Sequence, residues 1–111
     1  MNSQTFAALA EPHRLHIVEL LRDNPRSVNE IVDTLRLNQP QVSKHLKVLA
    51  DAGLVEVRPE AQKRIYTLRS EPLREINQWI KKYRMLWEEQ FDRLEAMLKE
   101  ENKNVKRREV E

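Results

Sequence analysis

A chain of 111 residues has room for one domain, and 40% hydrophobic against 34% charged residues suits a soluble helical protein slightly rich in charge. The lack of cysteine excludes disulfides, thiolate metal sites and thiol redox chemistry, and no apolar run approaches the ~18 residues of a membrane span. The net charge of +2 is unevenly spread: residues 38–69 hold six Lys or Arg against three Asp or Glu, and residues 70–101 hold six against eight. Such a basic middle suits a polyanionic partner, although solvated helix faces give the same totals.

Residues 3–10 read as a short helix with Phe6 and Leu9 on one side, stopped ahead of Pro12. Glu11-Pro12 opens a second helix through about Asp23, with proline in its first position and Leu15, Val18 and Leu21 as its core stripe. His13 and His16 stand three apart and share a face of this helix. They lack a third ligand at a recognisable spacing, so polar contacts are expected of them and no metal is. Asn24-Pro25 breaks the helix. Ser27 with Glu30 makes a capping box for a third helix, turning Val28, Ile31, Val32 and Leu35 inward. Arg36-Leu37 then leaves only a tight turn before the next helix, a helix-turn-helix pattern that helical hairpins of other kinds share.

That next helix spans about 39–52. Asn38 caps it with Gln41 as reciprocal partner, Pro40 lies in its first turn, and Gly53, the sole glycine, ends it. Val42, Leu46 and Leu49 form a buried stripe. The opposite face offers amide, hydroxyl and ammonium groups, the types that read base edges and grip phosphates. Lys44 and Lys47 are expected to hold phosphates, and Gln39, Gln41, Ser43 and His45 to read bases or set register. His45 lies at the edge of the stripe, so a structural hydrogen bond is its alternative role.

After Gly53, two strands are expected, Leu54–Arg58 and Arg64–Arg69, around a polar loop at Pro59–Lys63. Val55 and Val57 would face the core. Arg58, Lys63 and Arg64 would gather near the tip of a wing over residues 54–69, placed against a DNA backbone or minor groove. The bland alternative is a charged edge that resists aggregation.

Ser70 and Pro72 open the last helix, with no breaker before about Glu101. Leu73, Ile76, Ile80, Tyr83, Trp87, Phe91, Leu94 and Leu98 step by threes and fours along it, and Trp79, Leu86 and Met97 broaden the stripe. One small domain offers too little surface to cover so long a face, so a second copy is expected across it. Phe6 would join the interface with Leu73, Ile76, Trp79, Ile80, Tyr83, Trp87, Phe91, Leu94 and Leu98. Two-fold pairing would set two recognition helices about 34–36 Å apart, matched to successive major grooves. Trp79, Tyr83 and Trp87 make an aromatic row that either lines a ligand pocket or is interface core. Residues 102–111 read as a charged, disordered tail, alternatively an aid to DNA binding through Lys103, Lys106, Arg107 and Arg108.

Through LAEPHRLHIVELL, NQPQVSKHLKVLADAGLVEVR and KRIYTL, residues 7–69 resemble the ArsR family of bacterial winged-helix repressors. The resemblance implies a homodimer that binds operator DNA and represses transcription, with DNA contacts on the exposed residues of Gln39–Lys47 and on the wing. Many members sense metals through cysteines at the start of the third helix, which here align with Ser27 and Asn29. Others use Asp and His on the last helix, yet residues 71–101 contain no histidine. Metal sensing and cofactors are therefore not expected. Arg36 and Ala61 stand where the family commonly has glycine, so the turn and wing tip are expected to differ in detail.

The expected fold is mainly α with a small β-hairpin: a winged helix-turn-helix over residues 1–101, dimerised through a long C-terminal helix at about 71–101. The expected function is a sequence-specific DNA-binding transcriptional regulator, a homodimeric repressor on a near-palindromic operator. Its partners would be double-stranded DNA and a second copy of the chain. With no span and no signal-peptide pattern, the expected location is cytoplasmic. The competing class is a winged-helix module that docks a protein, but such a helix would more often expose an apolar patch than the cationic face of residues 39–47. No Ser/His/Asp or Cys/His arrangement and no glycine-rich phosphate loop points to an enzyme. A small apolar ligand, a protein antagonist and control by dimer concentration are equally compatible with these residues as the effector mode.

Overall fold

In a computed structural model describing residues 3–110, with side chains through Val105, the elements run α1 (Ser3–Leu9), α2 (Pro12–Asp23), β1 (Arg26–Ser27), α3 (Val28–Leu35), α4 (Gln39–Asp51), β2 (Val55–Glu60), β3 (Lys63–Leu68) and α5 (Ser70–Val110). The chain divides into two units, Met1–Ile76 and Asn77–Glu111. The first is a winged helix-turn-helix: α2, α3 and α4 pack on one another and on a three-stranded sheet.

Each helix of the first unit has a local cause. Pro12 stands in the first turn of α2, and the Glu11 carboxylate accepts the Arg14 N–H at 2.9 Å. For α3 the capping box is complete: Glu30 N–H donates to Ser27 Oγ at 3.2 Å and Ser27 N–H to Glu30 Oε1 at 3.3 Å. Asn38 and Gln41 repeat that reciprocal pattern at the start of α4. At the other end of α4, Gly53 takes φ 75°, Gly53 N–H donates to Ala50 and Leu54 N–H to Leu49. These two bonds are a Schellman motif, which glycine enters without a Cβ penalty.

The core gathers Ile17, Val18 and Leu21 from α2, Ile31 from α3, Val42, Leu46 and Leu49 from α4, and Leu54 and Val55 at the start of the wing, with Ala8 from α1. Full burial of each large side chain is worth about 1.5–3 kcal/mol. The expected α2 stripe needs correction. Leu15 is 40% exposed and Ile17 is fully buried, because positions 15 and 17 lie about 200° apart around a helix. Ile17 and Leu21, four apart, share the inward line.

The sheet is antiparallel in the order β1-β3-β2. Its first strand was not expected. Arg26 pairs with Tyr66 and Ser27 with Ile65, so Ser27 ends a strand and caps a helix at once. The wing is also tighter than expected: Glu60 pairs with Lys63, leaving Ala61 and Gln62 as the loop. Arg58 consequently pairs with Ile65 within the strands rather than at the tip. Val55 is buried, but Val57 is 48% exposed because the hairpin runs on beyond the core. Arg36 and Ala61 both have φ 56°. The left-handed backbone is therefore adopted at both positions without glycine, at a cost of about 1–2 kcal/mol each.

The helix α5 contains 41 residues. Residues 102–110, expected as a disordered tail, are helical: they hold no glycine or proline and are rich in Lys, Arg and Glu, which lose little on entering a helix. Lys106, Arg107 and Arg108 lie outside the described side chains. Within the first unit, Leu73 is partly buried and packs against the winged-helix core of its own chain. In the second unit, the Trp79 and Tyr83 rings meet at a tilt of 50° with centroids 4.9 Å apart, and Trp87, Phe91, Leu94 and Leu98 are each at least half exposed. No helix among the described residues is long and apolar enough to cross a membrane.

Candidate nucleic-acid interface

Between α4 and the wing lies an open cleft of about 570 Å³, lined on one side by Gln39, Ser43 and Lys47 and on the other by Gln62, Lys63 and Arg64. Residues 39, 43 and 47 are spaced by four and form one line along the helix. Leu46, itself buried, and Ala50 supply apolar lining from α4, Val57 and Tyr66 line the cleft from the sheet, and Ser27, Val28 and Asn29 close it at the start of α3. The rim therefore carries an amide, a hydroxyl and an ammonium facing a second amide, ammonium and guanidinium. This set suits phosphate oxygens and base edges.

Five of the nine residues expected to touch DNA meet in that cleft: Gln39, Ser43, Lys47, Lys63 and Arg64. Lys44 is exposed on α4 outside it, and Arg58 is exposed on β2. Gln41 is exposed, but its Oε1 accepts the Asn38 N–H at 3.3 Å. His45 points elsewhere. Its side chain is only 16% exposed, its Nδ1 is 3.7 Å from Glu11 Oε2, and its ring lies 5.5 Å from that of His13. This placement sets His45 apart from the cleft, and its buried Nδ1 has no hydrogen-bond partner, so the structural hydrogen bond held open for it is not formed at that atom. Gln62 and Asn29 were missed; the sole signal for Gln62 was its place beside Lys63 in a polar loop.

The electrostatics of the α2 start follow from this packing. Burial alone would raise the Glu11 carboxyl, but the Arg14 N–H bond and the charges of His45, His13 and Arg14 outweigh it and hold the group below its ordinary value. Burial pushes the His45 imidazole down, against the opposing pull of Glu11. The Arg14 guanidinium itself turns to α1, donating to the Ala8 carbonyl at 2.7 Å and the Ala7 carbonyl at 3.3 Å. His16, expected to share a face with His13, is exposed and outside this cluster.

At the start of α3, Ser27 is buried with its hydroxyl engaged in the capping box, and Asn29 is an exposed amide. Neither residue can act as a thiolate ligand, so the donor set that metal-sensing members place there does not fit this chain.

The sequence profile described as "Bacterial regulatory protein, arsR family" matches residues 11–57. The HTH-type transcriptional repressor SmtB of Mycobacterium tuberculosis is 44% identical over 73 residues, which are 66% of this chain and 54% of that protein. The arsenical resistance operon repressor of Staphylococcus xylosus is 34% identical over 76 residues, 68% of this chain and 73% of that repressor. Among solved structures, the homodimeric winged helix-turn-helix DNA-binding domain Mb0332 of Mycobacterium bovis superposes with a TM-score of 0.62 at 29% identity, covering 71% of this chain and 73% of that one. The chain spans about half the length of the SmtB repressor it matches.

Proposed function

We propose that this chain, which belongs to the ArsR family of bacterial regulatory proteins, is a homodimeric, sequence-specific DNA-binding transcriptional regulator acting as a cytoplasmic repressor. The observation that carries the reading is the cleft in which Gln39, Ser43 and Lys47 of α4 face Lys63 and Arg64 of the wing. In this reading α4 enters the major groove, Gln39 and Ser43 meet base edges, and Lys44 and Lys47 neutralise flanking phosphates. Lys63, Arg64 and Arg58 hold the adjacent backbone from the wing. A second copy, paired through α1 and α5, supplies the other half-site. The homodimeric, DNA-binding description of the mycobacterial domain supports that assembly. The outer face of α4 presents Lys44 and Lys47 in place of an apolar patch, which argues against a protein-docking module.

Selection of bound sequences from random DNA tests this directly. The expected product is a near-palindrome whose half-sites lie about one helical turn apart. Five phosphate-holding cations per protomer, Lys44, Lys47, Arg58, Lys63 and Arg64, make ten per dimer, so the log–log salt slope of affinity should be roughly −9. An affinity that stays flat between low and physiological salt, or a selection that enriches no sequence, would overturn the proposal.

A further inference from the structure

The packing of α2 on α4 assembles a donor set that neither helix carries alone. Glu11 precedes the first turn of α2, His13 lies in that turn, and His45 projects from the edge of the buried stripe of α4. One ligand atom from each, a carboxylate oxygen and two imidazole nitrogens, lies within 4.8 Å of the other two. Nδ1 of His13 is 3.4 Å from Glu11 Oε1, and Nδ1 of His45 is 3.7 Å from Glu11 Oε2. A tetrahedral ion with bonds of about 2.0–2.2 Å holds its ligand atoms roughly 3.3–3.5 Å apart, so small rotamer adjustments suffice.

A second observation points the same way. His45 Nδ1 is buried and has no hydrogen-bond partner, and 3.7 Å to Glu11 is too long to supply one. Buried polar atoms in folded proteins are rarely left so, and a bound ion is one of the few ways to satisfy them. The His13 side chain is 47% exposed, which leaves a route for entry from solvent.

We propose that Glu11, His13 and His45 form a binding site for a divalent transition-metal ion of the zinc class, with water completing the tetrahedron and the ion tying α4 to the start of α2. Two imidazoles and one carboxylate select zinc, cobalt or nickel over magnesium and calcium, which prefer oxygen ligands throughout. The Arg14 guanidinium beside the cluster is occupied by the Ala7 and Ala8 carbonyls, leaving Glu11 to balance the ion. The site stands apart from the start of α3 and rests on the geometry of these three residues, independently of the DNA-binding reading.

Titration of the untagged, metal-stripped full chain with Co2+ tests it. The expected result is one ion per chain, the intense visible absorption of tetrahedral cobalt, and displacement by Zn2+. His13→Ala, at an exposed position that leaves the fold intact, should abolish that spectrum and weaken Zn2+ affinity by on the order of 100-fold. His16→Ala should change neither. Absence of the tetrahedral spectrum in the parent chain, or its persistence in His13→Ala with wild-type affinity, would overturn the site and show Glu11 and the two histidines to be a metal-free polar cluster.

Discussion

Asn38 and Gln41 close the start of α4 on each other: Gln41 N–H donates to Asn38 Oδ1 at 2.9 Å, and Asn38 N–H donates to Gln41 Oε1 at 3.3 Å. Gln41 thus spends its carbonyl oxygen on the backbone before any nucleic acid arrives. Its identity serves the helix that presents Ser43, Lys44 and Lys47 as much as any contact of its own.

Asn38→Ala should therefore cost about 1 kcal/mol of stability, read from the urea midpoint, because it strips the acceptor from an N-terminal N–H. Gln41→Ala keeps that acceptor and should cost less. With its amide held at the cap, Gln41→Ala should also leave the selected DNA sequence unchanged; a new base preference in that variant would show that the side chain leaves the cap to read DNA.

The contrast between Ile17 and Leu15 makes a second prediction. Ile17→Ala opens a cavity at a fully buried position and should cost about 2–5 kcal/mol. Leu15→Ala, at a position 40% exposed, should stay within about 0.5 kcal/mol. Equal losses in thermal or urea unfolding would place Leu15 in a buried contact and return the stripe to the phase expected from sequence.

That contrast also marks how far the sequence alone could be read. Caps were legible because Ser27/Glu30 and Asn38/Gln41 act within four residues, as was Gly53, whose φ of 75° is the conformation glycine tolerates. The phase of α2 was less legible, since Leu15, Ile17, Val18, Leu20 and Leu21 permit more than one inward line. The strand at Arg26–Ser27 was invisible: two residues carry no periodicity, and only pairing with Ile65 and Tyr66 defines it. Most of the cleft could be anticipated from the charges on α4 and the wing. The meeting of Glu11 and His13 with His45 could not, because it is made by tertiary packing across more than thirty residues of chain.

Acid should weaken the α3 cap in a predictable direction. The Ser27 N–H and hydroxyl, then the Arg26 and Lys63 charges, hold the Glu30 carboxyl below its ordinary value of 4.5. A carboxylate whose folded pKa is depressed adds stability that is present above its unfolded pKa and is lost as pH falls through the folded value. Glu30→Gln removes that dependence while leaving an amide oxygen for the cap. Urea midpoints of parent and variant should differ most near neutrality and converge below 4.5; a gap that widens in acid would mean that Glu30 is not held in its charged form by the cap. Glu30 is exposed, so the effect should be small.

The apolar line along the second unit leads to the last prediction. Trp87, Phe91, Leu94 and Leu98 step by four, three and four, and each is at least half exposed on a single chain. Trp87, Gln90, Phe91 and Leu94 also frame a shallow concavity. A contiguous apolar face of this kind is seldom left to water, and a two-fold partner presents the same line in return. Leu94→Glu would set a carboxylate into that contact from each side, at a cost of about 3 kcal/mol or more, roughly two decades in the dimer dissociation constant. Sedimentation should then show the mass falling from twice 13.3 kDa to 13.3 kDa at concentrations where the parent stays paired, with helical circular dichroism kept and operator affinity reduced. A variant that remains dimeric and binds DNA as the parent does would locate the pairing surface away from this line of α5.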